Sequence, residues 1–72
     1  MTTDWNNYAK GMLKAEIARR QLSYKQLVEK LREMGIEETE ANLRNKVSRG
    51  GFSAGFFLQC LKAIGVNTLH LE

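Results

Sequence analysis

The residues best suited to recognition chemistry lie in the segment 40–49, which is followed by glycine. Leu43 and Val47 are one helical turn apart, so they define the inner face of a predicted helix. The polar side chains that point away from this pair are Asn42, Asn45, Ser48 and Arg49, with Arg44 and Lys46 on the two flanks. Amide, hydroxyl and cationic groups hydrogen-bond base edges and phosphates. The segment therefore predicts a helix able to contact nucleic acid.

The composition supports this interpretation and excludes several others. The chain has 72 residues and a net charge of +3, and its pI near 9.3 meets the minimal electrostatic condition for a nucleic-acid binder. Cys60 and His70 are the only cysteine and histidine, so neither an intramolecular disulfide nor a Cys/His zinc site can form. We find no acid–base pair, nucleophile or set of metal ligands, and we expect neither enzymatic activity nor a metal or cofactor.

From the sequence we expect neither a membrane-spanning helix nor a secretory signal. No apolar run approaches the roughly 20 residues that a membrane-spanning helix needs, so we expect no membrane partner. The N-terminus, Met-Thr-Thr-Asp, lacks the charged region and apolar stretch of a secretory signal. A single thiol without such a signal fits a reducing compartment, and the expected location is the cytoplasm.

Four segments have helical patterns bounded by capping residues and glycines. The predicted helices span about 4–20, 24–34, 40–49 and 54–64, with Asp4, Ser23, Thr39 and Ser53 as their N-caps. The glycines expected to end helices are Gly35, Gly50, Gly51 and Gly65. The tail fits a short strand, a last helical turn or a frayed end. We therefore predict a compact all-α domain of four or five helices over residues 1–72, with its core at about 5–66.

The apolar faces of the first and fourth predicted helices allow more than one interpretation. Trp5 and Tyr8 share one face of the first helix, which favours a place in the core over a stacking platform for single-stranded nucleic acid. Gly11 lies inside the same helix, where it would allow a neighbouring helix to approach closely. Cys60 is predicted to be a small buried hydrophobe of the fourth helix. That helix is apolar almost all round, so it is either central or shared with a partner.

The second and third predicted helices form a candidate helix-turn-helix pair. In this arrangement the third helix enters the major groove of duplex DNA, and the second crosses the sugar-phosphate backbone. The start of the second helix would contact phosphates. The predicted DNA-binding residues are Tyr24, Lys25, Asn42, Arg44, Asn45, Lys46, Ser48 and Arg49. The alternative is an exposed helix face in a small bundle, since polar residues also solvate such faces.

Several short motifs follow one another between residues 13 and 66. They are Leu13-Lys14, Leu22-Ser-Tyr-Lys-Gln-Leu27, Leu31, Gly35-Ile36, Asn42-Leu43, Val47-Ser-Arg-Gly50, and Ser53 followed by Phe57-Leu-Gln-Cys-Leu-Lys-Ala-Ile-Gly-Val66. Their order resembles the lambda-repressor-like, Xre-type helix-turn-helix family over about three quarters of the chain. The resemblance implies a lambda-repressor-like fold whose third helix is the recognition helix. It also implies a bacterial transcriptional regulator that binds double-stranded DNA.

Two continuous stretches resemble a small bacterial domain family with no assigned function more closely. They are Asn42-Leu-Arg-Asn-Lys-Val-Ser-Arg-Gly50 and Phe56-Phe-Leu-Gln-Cys-Leu61. Because that family has no assigned function, the likeness supports the fold and implies no activity.

The connection between the second and third helices departs from the helix-turn-helix pattern. Residues 32–34 are inserted before Gly35, and about two further residues lengthen 36–40, so the usual turn of three to four residues is lost. The connection also places three carboxylates where they would repel phosphate: Glu37, Glu38 and Glu40. The alternative function is therefore a protein-interaction, adaptor or antitoxin-like module that keeps this fold without binding DNA.

A homodimer is predicted from the way in which helix-turn-helix proteins recognise DNA. One helix-turn-helix module contacts few bases, and palindromic sites mirror the two-fold symmetry of a dimer. The apolar fourth helix and the tail are the expected interface. Its candidate residues are Phe56, Leu58, Leu69 and Leu71.

Overall fold

The computed structural model describes residues 4–71, and these form four α-helices. The helices are α1 (Trp5–Arg19), α2 (Tyr24–Glu33), α3 (Glu40–Arg49) and α4 (Ala54–Ala63). No strand occurs within the described residues, and the tail from 66 to 71 has no regular secondary structure. The predicted all-α class and the four predicted helices are confirmed, with ends that differ by a residue at most.

Each helix begins at the N-cap residue that the sequence predicted. The side chains of Asp4, Ser23, Thr39 and Ser53 each accept a hydrogen bond from a backbone amide in the first turn of the following helix. Gln26 completes a capping box at α2, since its side-chain oxygen accepts from the amide of Ser23 at 2.8 Å. An N-cap of this kind stabilises a helix by about 1 kcal/mol.

Three of the four helices end in the same kind of turn. One residue adopts a positive φ, and the amide of the next residue donates to a carbonyl five positions back. The positive-φ residues are Gln21, Gly35 and Gly65, with φ values of 54°, 80° and 85°. The residues after them are Leu22, Ile36 and Val66, and all three pack against the core. Each helix end thus places an apolar side chain back onto the bundle.

The core lies between two pairs of helices. Both α1 and α2 pack against α3 and against α4. The buried apolar residues are Leu13, Ile17, Leu27, Val28, Leu31, Leu43, Val47, Phe56, Cys60, Leu61 and Ile64. Helix α3 contributes only Leu43 and Val47, both completely buried, so its remaining side chains point to solvent or to the edges of its neighbours.

Two expectations for α1 were wrong. Trp5 was expected in the core, but it is 65% exposed because the first turn of α1 lies beyond the buried residues Leu13 and Ile17. Its ring instead meets the half-buried Tyr8 edge-on, with 5.7 Å between ring centroids. Gly11 was expected to admit a neighbouring helix, yet a Cβ atom at this position would contact nothing within 4 Å.

Gly11 and Gly50 provide a matched pair of tests. Gly11→Ala should raise the free energy of unfolding by about 1 kcal/mol, because an exposed helical glycine gains helix propensity without a clash. Gly50→Ala should lower it by about 1 to 2 kcal/mol, since Gly50 has a φ of 72°. Urea unfolding followed by circular dichroism measures both. A loss of stability in Gly11→Ala would show that this face of α1 is covered.

Candidate nucleic-acid interface

The outer face of α3 consists of Asn42, Asn45, Ser48 and Arg49. All four residues are exposed. Their side chains form no hydrogen bond or ion pair with any residue from 4 to 71. In particular, Asn42 does not bond the backbone of the preceding turn, and Arg49 does not bond the last carbonyls of α3. The face therefore presents amide, hydroxyl and guanidinium groups that are available to an external partner.

Arg44 borders this face on the side of α2. Its guanidinium donates to the Glu40 carboxylate at 2.9 Å and lies over the Tyr24 ring, 5.4 Å from the centroid. Tyr24 is half-buried and packs against the core, so the Arg44 guanidinium lies on a ring that the core holds in place. Arg44 and Tyr24 were both predicted to contact DNA, and the structure joins them to each other.

Lys46 borders the other side of the face. Its ammonium group lies 2.9 Å from Glu38 and 4.8 Å from the centroid of the Phe56 ring. The Glu38 side chain is only 11% exposed, so this ion pair is partly shielded from water. Lys46 thereby ties the long connection before α3 to a core residue of α4. Its charge is already engaged within the domain, unlike that of Arg49.

The connection between α2 and α3 consists of residues 34–39. Of its three nearby glutamates, Glu38 and Glu40 pair with the cations of α3. Glu37 is exposed and forms no ion pair among the described residues. Pairing weakens the repulsion that Glu38 and Glu40 would exert on a phosphate, because each of these two charges is offset within a few ångströms.

A groove runs along the C-terminal half of the outer face. It has a volume of about 330 Å³ and is bounded by α3 and the segment that leads to α4. Its lining residues are Asn42, Asn45, Lys46, Arg49, Gly50, Gly51 and Phe52. The groove brings three of the four outer-face residues together with the backbone of two glycines.

Lys25 lies apart from these groups at the start of α2. It is exposed and has no acidic partner within the described part of the chain. The capping box at Ser23 satisfies the amide of Gln26, while the amides of the first two helical residues keep their hydrogens for an external acceptor. The start of α2 thus offers a cation and backbone donors, as the sequence predicted for a phosphate contact.

The residues predicted for a dimer interface separate into two groups. Phe56 is only 7% exposed and belongs to the core, so it is not accessible to a second subunit in this structure. Its place follows from its contacts, because it packs against Phe52 and lies under Lys46. The other three residues are exposed to solvent, with exposed fractions of 60% for Leu58, 36% for Leu69 and 74% for Leu71.

Sequence reasoning found the outer face but missed how its flanks are held. The Glu40–Arg44 pair has the one-turn spacing of a helical ion pair and was readable from the sequence. The Glu38–Lys46 pair joins residues eight positions apart across a connection of irregular shape, so no periodicity revealed it. The two cation–ring contacts likewise depend on packing between helices.

The described residues contain neither a cluster of potential metal ligands nor a helix long and apolar enough to cross a membrane. Cys60 is completely buried, as predicted for a small hydrophobe. Burial raises the pKa of its thiol from 9.0 to about 12, with a further rise from Glu38 and an opposing effect of Lys46. A thiol with such a pKa is protonated at neutral pH and is a poor nucleophile.

The Cys60 pKa predicts how stability depends on pH. The folded state holds the thiol proton more tightly than the unfolded state, so this contribution is complete below pH 9 and is lost as pH rises towards about 12. The free energy of unfolding should fall less steeply between pH 9 and 11 in Cys60→Ala than in the wild type.

At pH 8 a thiol reagent should modify the folded protein at least about 100-fold more slowly than the urea-unfolded protein. Equal rates would show that the thiol is accessible.

Comparison with known proteins gives a family and no activity. No curated protein and no solved structure matches the chain significantly. The family described as "Domain of unknown function (DUF6471)" matches residues 5–69, which include all four helices. This agrees with the resemblance to a family without an assigned function. The chain belongs to this family of domains of unknown function.

Proposed function

We propose that the domain binds double-stranded DNA through the outer face of α3, as a lambda-repressor-like helix-turn-helix protein. One observation carries the proposal. The four outer-face side chains have no partner among residues 4–71, whereas the cations on both flanks are held by carboxylates. A face of amide, hydroxyl and guanidinium groups that are exposed and unpaired within the described residues matches what base edges require.

The individual groups suit the major groove. Asn42 and Asn45 can each form two hydrogen bonds with an adenine edge, and Arg49 can do so with guanine. Lys25 and the amides at the start of α2 suit phosphates on the adjoining backbone. In this proposal α3 is the recognition helix and α2 crosses the backbone, which is the arrangement of helix-turn-helix proteins. The biological role that follows is transcriptional regulation in the bacterial cytoplasm.

Arg49 provides the sharpest test of this proposal. A duplex should first be selected by the wild-type protein from a random library, and its affinity then measured by fluorescence anisotropy. Arg49→Ala should weaken binding by about tenfold or more and relax the preference at one base position, since a two-bond contact to guanine contributes about 1–3 kcal/mol. Asn45→Ala should act similarly at another position.

Lys30→Ala is the matched control for Arg49→Ala. Lys30 is also a cation without an ion pair among the described residues, and it lines neither the groove of α3 nor the groove beside Leu58. Its removal should change affinity only slightly and leave the sequence preference intact. If the wild type binds no duplex at low salt, or if Arg49→Ala behaves like Lys30→Ala, α3 is not the docking element.

A protein-interaction module is the second candidate, and a specific surface favours it. A groove of about 400 Å³ is lined by Leu58, Leu61, Val66 and Leu69 together with the polar residues Lys62, Asn67 and Thr68. Leu58 is 60% exposed and Leu71 is 74% exposed, although both are large apolar side chains. Contiguous exposed apolar surface is common at protein-interaction sites, and this groove is the feature that favours the second candidate.

Light scattering separates the two functions. A homodimer through this surface should show twice the monomer mass, and Leu58→Glu should convert it to a monomer because a carboxylate would be buried without a partner. Gln59→Glu adds the same charge one residue away and serves as the control. An oligomer that persists at high salt and ignores duplex DNA would favour the interaction module. A wild-type monomer at about 0.1 mM would contradict the predicted homodimer.

A further inference from the structure

The end of α3 lies against the first turns of α1. Gly50 has a φ of 72°, and a Cβ atom there would lie 3.3 Å from Cδ of Lys10 and 3.4 Å from the carbonyl oxygen of Asn6. Glycine is suited to this position because it adopts a positive φ and leaves room for the neighbouring chain. The aliphatic part of Lys10 therefore runs beside the backbone at the point where α3 ends.

Lys10 brings an unpaired cation to this junction. Neither Lys10 nor Arg49 forms an ion pair within residues 4–71. The nearest acids along α1 are already engaged, since Asp4 accepts from two backbone amides and Glu16 binds two arginines. Two cations from different helices thus border the same glycine, and neither is paired with a carboxylate of the described residues.

The backbone after Gly50 supplies hydrogen-bond donors beside these cations. The amide of Gly50 donates to the Lys46 carbonyl at 3.2 Å. The amides of Gly51 and Phe52 have no acceptor in the described chain. Gly51 also has a positive φ of 66°, and both residues line the groove that contains Arg49. Backbone amides in such an open segment are suited to an anionic oxygen.

We propose that Lys10 and the amides of Gly51 and Phe52 bind a backbone phosphate of duplex DNA. The phosphate would be the one next to the bases that the outer face of α3 contacts, so this proposal rests on the proposed DNA-binding function. A phosphate contact of this kind positions a protein on the duplex without reading its sequence. Helix α1 then belongs to the docking surface, alongside the helix-turn-helix pair.

The test separates phosphate binding from base reading. Lys10→Met removes the charge and keeps an unbranched side chain beside Gly50, and circular dichroism should confirm that the fold is retained. Anisotropy titrations of the selected duplex over 50–300 mM salt should show the slope of log affinity against log salt reduced by about 1. At about 0.1 M salt the affinity should fall by about fivefold to tenfold. The loss should be the same for unrelated duplexes, unlike that of Arg49→Ala.

Lys30→Met is the matched control, because Lys30 is a cation without an ion pair among the described residues and lines neither the groove of α3 nor the groove beside Leu58. It should leave both the slope and the affinity near wild type. If the wild type binds duplex DNA but Lys10→Met keeps its affinity and slope, the phosphate site is overturned and the DNA-binding function stands. If the wild type binds no duplex at low salt, both proposals fail.

A second measurement tests the backbone donors and the source of the phosphate. The amide resonances of Gly51 and Phe52 should shift on addition of the duplex in nuclear magnetic resonance spectra. Inorganic phosphate at equal ionic strength should shift them much less. Equal shifts with inorganic phosphate would assign the site to a free anion and overturn its assignment to DNA.

Discussion

Helix α3 is held in the domain by two side chains, and the character of its outer face depends on that anchorage. Leu43 and Val47 are completely buried on the side of α3 that packs against α1 and α2, and no other residue of α3 is buried. A helix held along such a narrow stripe would rotate easily without further contacts at its sides. Those contacts come from Arg44 on the Tyr24 ring and from Lys46 on Glu38 and Phe56. The flanking cations therefore orient the face between them.

The ends of the helices explain how so small a domain acquires an adequate core. A chain of this length buries only roughly 60% of its unfolded surface, so each apolar side chain contributes a large share of the stability. The turns after α1, α2 and α4 each return an apolar residue to the core. At α1 the turn uses Gln21 with a φ of 54°, where glycine would adopt the conformation with less strain. The turns that end these three helices therefore also add apolar residues to the core.

Local rules account for what the sequence predicted, and packing accounts for what it missed. The N-caps and most helix ends depend on a few adjacent residues, so Asp4, Ser23 and Gly35 could be interpreted without a structure. Helical periodicity placed Trp5 on an apolar face, but periodicity does not say where along its length a helix leaves the core. Periodicity was enough to predict the outer face of α3. The pairing of Lys46 with Glu38 was not predictable, because it depends on the shape of the connection before α3.

The formal charges of α3 and its preceding connection cancel, and this constrains how the proposed function would work. Three glutamates between 37 and 40 oppose three cations between 44 and 49. Two of these cations are paired, which leaves Arg49 as the α3 cation without an ion pair among residues 4–71. The excess positive charge of the domain lies instead on α1 and α2.

Attraction to DNA scales with the number of phosphates that free cations neutralise. A recognition helix with one such cation contributes selectivity through its amides more than it contributes affinity. In the proposed complex the affinity then depends on cations of other helices. Of these, Lys10 of α1 lies beside Gly50 at the end of α3, and Lys25 lies at the start of α2. In the proposed complex an acidic connection is compatible with DNA binding, because Glu38 and Glu40 pair with the flanking cations of the outer face and the phosphates would be bound by cations of other helices.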